Sequence, residues 1–224
     1  MTRLLSWASV WAVLWSVVSL LPDGEGAQPA GAKTGKVPEA LVNVGEFGED
    51  LYDLVKANKW ADAAEKFKAL KEAAKALPAN LKEAKGDKER RDETLAALGK
   101  SVAAKDKLAA MRAANQVTLI AADLSEPFNP KLPATVTRLD FYGRELEIGT
   151  AAKDLKQLKA AAAGLRKNWD KVRPAVKTGG GESEAKRFDA LITRVEAAKS
   201  VEDYGKLATP ILDEVDNLEK IFKK

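Results

Sequence analysis

The sequence predicts an all-α protein folded as one antiparallel four-helix bundle. Three observations carry this: four stretches in which apolar residues recur every three or four positions, Pro- or Gly-rich breaks between them, and a near-absence of alternating strand-like runs. The best strand candidate, residues 116–120, sits inside a helical period with alanine on both sides.

The first predicted helix starts at Val44. Val44, Phe47, Leu51, Leu54, Trp60, Ala63, Phe67, Leu70, Ala74 and Leu77 form its apolar stripe, and Pro78 with the polar residues 80–87 ends it. The second runs from about Lys88 to Leu124 through Leu95, Leu98, Val102, Met111, Val117 and Ile120. Pro127, Pro130 and Pro133 make the next stretch an extended connector. The third spans about Thr137 to Val172, ahead of Pro174, and Gly179, Gly180 and Gly181 separate it from the fourth, Glu184 to Phe222. Helices of about 30 residues are about 45 Å long, and short connections favour antiparallel neighbours.

Two features qualify this picture. Each long helix carries an interruption, at residues 57–59, 103–106, 151–154 and 197–200, where Asn58 and Ser200 read as N-caps and Ser200 has Asp203 three residues on. The interruptions mean either kinks or eight short helices, and eight short helices open the alternative of an α-solenoid. Residues 57–63 resemble the start of a tetratricopeptide helix, although the 34-residue period of that family is missing. The two halves also look alike at an offset near 95: Phe47-Gly48 resembles Tyr142-Gly143, and Ala103-Ala104-Lys105 resembles Ala197-Ala198-Lys199. The alternatives are a duplicated helical hairpin and chance likeness among Ala/Lys/Leu-rich helices.

Residues 1–27 read as a secretory signal peptide: Arg3, then an apolar run from Leu4 to Leu21 holding Trp7, Trp11 and Trp15, then Pro22 and small residues up to Ala27. The run is also near the shortest that spans a bilayer, so an uncleaved anchor is the alternative. Residues 28–43, rich in Gly, Ala, Pro and Lys, read as a flexible tether; residues 44–224 form the bundle domain. The expected location is periplasmic or secreted, with membrane contact only through an uncleaved N-terminal segment.

The chain has no cysteine and no histidine. Covalent haem attachment, di-iron sites built on Glu-x-x-His, and ordinary zinc or copper sites all need one or the other. No cofactor is expected. The layout resembles the exported four-helix cytochromes in architecture and length, but none of their haem-binding residues is present, so the resemblance implies a fold and nothing more. Carboxylate clusters remain for hard ions, at Glu46, Glu49, Asp50 and Asp53 and at Asp213, Glu214, Asp216 and Glu219; with lysines close by, they read as solvated faces. Ser101 and Lys105 are spaced for a Ser–Lys pair without an oxyanion hole, and the triple glycine lacks the Lys-Ser/Thr of a phosphate loop. The protein is therefore expected not to be an enzyme. A formal net charge of +4 with interleaved signs argues against nucleic acid as partner.

The aromatic residues carry the remaining signal. Trp60, Tyr52, Tyr142 and Trp169, with Phe47 and Phe141 nearby, read first as core anchors in an alanine-rich interior and second as a ligand or partner surface. The functional expectation is a non-enzymatic interaction or scaffold protein of the cell envelope, whose partner is another envelope protein. The alternative is a periplasmic carrier of a small ligand or of a hard metal at a carboxylate site.

Overall fold

The apolar periods resolve into eight α-helices in the computed structural model, which describes residues 36–79, 81 and 86–223. They are α1 (Glu39–Lys56), α2 (Trp60–Lys75), α3 (Asp87–Ala104), α4 (Lys107–Ser125), α5 (Ala134–Ala152), α6 (Leu155–Thr178), α7 (Glu182–Ala197) and α8 (Val201–Lys223). A single 3₁₀ turn, Glu126–Phe128, follows α4. No strand occurs among the described residues. The expected signal segment 1–27 and the start of the tether lie outside them. α1 begins at Glu39, five residues before the expected Val44, because Leu41 extends the buried stripe backwards at 0 % exposure.

Every predicted long helix is two helices, divided at the interruptions seen in the sequence; the longest single helix, α6, has 24 residues. Three of the four breaks share one geometry. Asn58, Lys105 and Lys153 adopt the left-handed conformation (φ 58°, 54° and 55°), and the next amide in each case donates five residues back, as Lys59 N does to Leu54 O and Asp154 N to Gly149 O. This closes off the preceding helix as a Schellman-type cap does. Asn58 is thus a C-terminal stop and not the expected N-cap. Asp106 and Asp154 do cap, their side chains accepting from the amides of Ala109 and Gln157. The fourth break is different: Ala198 is extended, and Ser200 and Asp203 exchange side-chain-to-amide bonds of 3.1 and 3.0 Å as a reciprocal capping box.

α6 runs through Pro174, where the sequence predicts an end. The hydroxyl of Thr178 reaches back to the carbonyls of Pro174 and Ala175, and Val176, at 0 % exposure, anchors the final turn.

The helix starts repeat. α1 and α5, α2 and α6, and α3 and α7 begin 95 residues apart, and α4 and α8 begin 94 apart. Packing repeats with them: α1 lies against α2 and α4 as α5 lies against α6 and α8, while α3 meets α2 and α4 as α7 meets α6 and α8. Gly48 and Gly143 occupy corresponding close approaches, where a Cβ would stand 2.9 Å from Thr118 Oγ1 of α4 and 2.7 Å from Leu212 Cδ2 of α8. α4 packs on α5 and joins the halves.

Each half has its own apolar core. The first gathers Leu41, Leu51, Val55, Leu70, Leu98, Val117 and Ile120; the second gathers Leu139, Leu146, Leu165, Trp169, Phe188, Ile192 and Ile211. Ile148 is the exception: it sits on α5 and is buried in the first core.

Candidate functional site

The four aromatic residues singled out from the sequence divide between the two cores. Trp169 is fully buried on α6, stacked at a tilt on Phe188 of α7 with centroids 4.5 Å apart, and its indole N–H donates to Asp189 at 2.7 Å. Tyr142 packs on the same core with its ring over Gly164 of α6. Trp60, half-buried at the start of α2, packs on the first core. Tyr52, 1 % exposed, faces the junction of the halves.

That junction is polar. Tyr52 OH donates to Glu147 Oε2 at 2.8 Å, and Lys56 Nζ donates to Glu147 Oε1 at 2.7 Å, tying α1 to α5. The Arg144 guanidinium lies 4.8 Å from the centre of the Tyr52 ring, close enough for a cation–π attraction. Arg144 Nε is 3.0 Å from Asp140 Oδ2, off the hydrogen-bonding axis, and Arg144 Nη1 is buried without a hydrogen-bond partner. Asp140 of α5 and Glu49 and Asp53 of α1 act on this cation, and from α8 Glu219 acts on Glu49 and, with Asp216, on Asp140.

Burial raises the Glu49 carboxyl from 4.5 to about 7, against the pull of Arg144 and with a further push from Asp140, Glu219 and Asp53. Asp140 is raised from 3.8 to about 6, again first by burial. Burial depresses the Arg144 guanidinium, yet the surrounding carboxylates outweigh it and hold the group above its ordinary value. Glu49 and Asp53 of one acidic cluster and Asp216 and Glu219 of the other therefore come together here; Glu49 and Asp140 are largely enclosed, while Asp53 and Asp216, like Glu46, Asp50 and Asp213, are exposed as a solvated face requires. Asp140 and Arg144 were not legible as part of either cluster, although Arg144 sits conspicuously within the buried stripe Val136, Leu139, Gly143 and Leu146 of α5. Among the described residues no group of three or more carboxylates is arranged to hold a metal ion. A cleft of about 280 Å³ adjoins the junction, lined by small and apolar residues of α1 and α4 and by Glu46, Glu49, Glu219 and Lys223.

A larger groove, about 540 Å³, runs between α2 and α3. Its floor is Phe67, Ala74, Leu95, Ala96 and Gly99, and Lys71, Lys75, Arg91 and Lys100 stand along it with the single carboxylate Asp92, which pairs with Lys88. The lining residues on each helix span about 12 Å, or just over two turns. Gly99 allows the close approach: a Cβ there would lie 2.7 Å from the Phe67 ring. The groove escaped the sequence reading because Phe67, Ala74 and Leu95 all continue apolar stripes that point to the core.

Comparison with protein-family models, with curated proteins and with solved structures finds no match to this chain.

Proposed function

We propose that this is a non-enzymatic interaction protein of the cell envelope, exported and either periplasmic or secreted, which docks another envelope protein in the α2–α3 groove. We read its architecture as two antiparallel four-helix units in series, the product of a duplication. The single observation behind the functional reading is the groove: an apolar floor two turns long, open to solvent and edged by cations. A second groove of similar size, about 570 Å³, lies beside α6, but it is lined by alanines, Tyr204 and charges of both signs and lacks a floor of large apolar side chains such as that between α2 and α3. Apolar surface left uncovered in this way marks interaction sites, and a trough between two helices is the standard seat for a third. The absence of imidazole and thiol from the whole chain supports binding over catalysis.

The test is site-specific photocrosslinking in the producing cell. A photoreactive residue at Ala96, in the groove, is expected to give a discrete adduct with an envelope protein, and one at Glu202, on the exposed start of α8, is not. Equal yields from both positions, or none from Ala96, reject the reading. The cleft beside Glu49, Glu219 and Lys223 favours a second reading, a carrier of a small ligand; a stoichiometric small molecule in native mass spectra of the purified protein would select it.

A further inference from the structure

The second half of the molecule shows what the α2–α3 groove is missing. α2 and α6 correspond at an offset of 95, so Ala74 of the groove floor stands where α6 carries Trp169. Aligned by their buried faces, Leu98 with Ile192, α3 and α7 correspond at 94. Leu95 then stands where α7 carries Asp189, the acceptor of the Trp169 indole. In the second half Arg166 is held by Glu196 at 2.8 Å. Its counterpart in the first half is Lys71, on the groove edge, whose Nζ lies 5.9 Å from the centre of the Phe67 ring with no carboxylate among the described residues paired to it. The α6–α7 side has a groove of its own, about 570 Å³ near Ala162, floored by alanines and Tyr204, and there Arg166 is held by both Asp170 and Glu196. The α2–α3 groove lacks in cis an indole-sized side chain, and among the described residues its Lys71 and Lys100 make no ion pair.

Resting on the reading of this groove as a docking site, we infer that its occupant is an amphipathic helix of a partner protein, presenting a bulky aromatic side chain toward Ala74 and carboxylates toward Lys71 and Lys100. Size and charge agree on this. The floor is two turns long, which suits anchors at i, i+4 and i+7 of a bound helix. Lys75 pairs with Glu72 and Arg91 with Asp92, which leaves Lys71 and Lys100 as the cations open to a partner, and complementary charge selects an acidic one.

The probe is a labelled 16-residue helical peptide with Trp, Leu and Leu at i, i+4 and i+7 and glutamate flanking them, titrated with the full chain by fluorescence anisotropy. Two sister peptides replace the glutamates by lysine, or the three apolar residues by alanine. The acidic Trp helix is expected to bind saturably and at least tenfold tighter than either sister. Ala74→Trp copies the second half; it is expected to keep or raise the melting temperature and to weaken binding at least tenfold. Lys71→Glu with Lys100→Glu, both surface changes, is expected to weaken binding of the acidic helix as strongly and decides the matter should Ala74→Trp not fold. No saturable binding, equal binding of the acidic and lysine helices, or undiminished binding by folded Ala74→Trp overturns the inference. A dimer in sedimentation that Ala74→Trp dissolves overturns it too, by making a second copy the occupant. Failure of all three peptides alongside a specific Ala96 adduct sinks only the stated chemistry and leaves the docking site standing.

Discussion

Tyr52 and Glu147, joined by a 2.8 Å hydrogen bond, are 95 residues apart, the spacing that separates the starts of α1 and α5. Corresponding positions of the two halves therefore touch across the junction. Identical residues there would set like against like; here one half supplies the donor and the other the acceptor. Glu49 and Arg144 have the same 95-residue relationship, again with opposite roles. The junction exists because the halves differ where they meet.

Removing the Tyr52 hydroxyl tests that bond. Tyr52→Phe keeps the ring, its packing and the Lys56–Glu147 pair, so the expected cost is about 1 kcal/mol. Tyr52→Ala also empties a site that is 1 % exposed and is expected to cost about 3–5 kcal/mol. Urea titration followed by circular dichroism measures both; equal losses would place the value of Tyr52 in the bond alone.

Stability is expected to fall as pH rises through the acid-to-neutral range. Glu49 titrates at about 7 in the folded chain against 4.5 ordinarily, and Asp140 at about 6 against 3.8. Between those values the folded state holds protons that the unfolded state has released. The contribution is complete below about pH 4, declines from there, and is gone above about pH 7. For Glu49 it amounts to at most about 3 kcal/mol. Glu49→Gln should flatten the decline and raise the melting temperature at pH 8 relative to the parent. Parallel curves for parent and variant between pH 4.5 and 8 would refute the assignment.

Arg144→Leu removes the buried cation beside Glu49 and Asp140; the other cation here, Lys223, is exposed and pairs with Glu219 at 2.6 Å. The expected loss is about 3–5 kcal/mol at pH 8, where the carboxylates are charged and uncompensated. At pH 4.5, with Glu49 and Asp140 protonated, the loss should shrink markedly. Thermal unfolding at the two pH values separates this electrostatic effect from a pH-independent packing effect.

The tryptophans should behave unequally. Trp169, fully buried and hydrogen-bonded, is expected to cost about 3–5 kcal/mol on replacement by Ala, and the difference spectrum for Trp169→Phe should be blue-shifted. Trp60 is only half-buried; its replacement by Ala should cost about half as much, and its emission should lie to the red of Trp169.

Gly48→Ala and Gly143→Ala compare the two close helix approaches. At Gly48 the new methyl meets the β-branched Thr118 and its backbone nitrogen at 3.2 Å, whereas at Gly143 the nearest atom is the mobile end of Leu212. The expected costs are about 2 kcal/mol at Gly48 and under 1 kcal/mol at Gly143.

Local chemistry was readable from sequence and assembly was not. The alanine-lysine interruptions marked all four breaks because weak helical packing and capping residues coincide there, and the Gly48–Gly143 likeness anticipated the corresponding close contacts. Periodicity, however, says that a face is covered and not by what. It could not show that Ala74 faces a void while Trp169 fills its counterpart. Glu46, Asp50 and Asp53 are solvated as their spacing among lysines suggests, but Glu49 is enclosed, unseen because its neighbours, Arg144 and Asp140, come from a different helix. Pro174 signalled a stop that the burial of Val176 overrides.

Ile148 carries a consequence for the order of events during synthesis. It belongs to the fifth helix yet completes the first core. Residue 148 follows the leading half, residues 36–133, by fifteen residues, so that half first emerges with a gap in its interior that the first helix of the trailing half closes. A nascent chain halted after α4 should remain susceptible to protease and accept hydrogen exchange throughout α1–α4, and protection should appear abruptly once α5 is released.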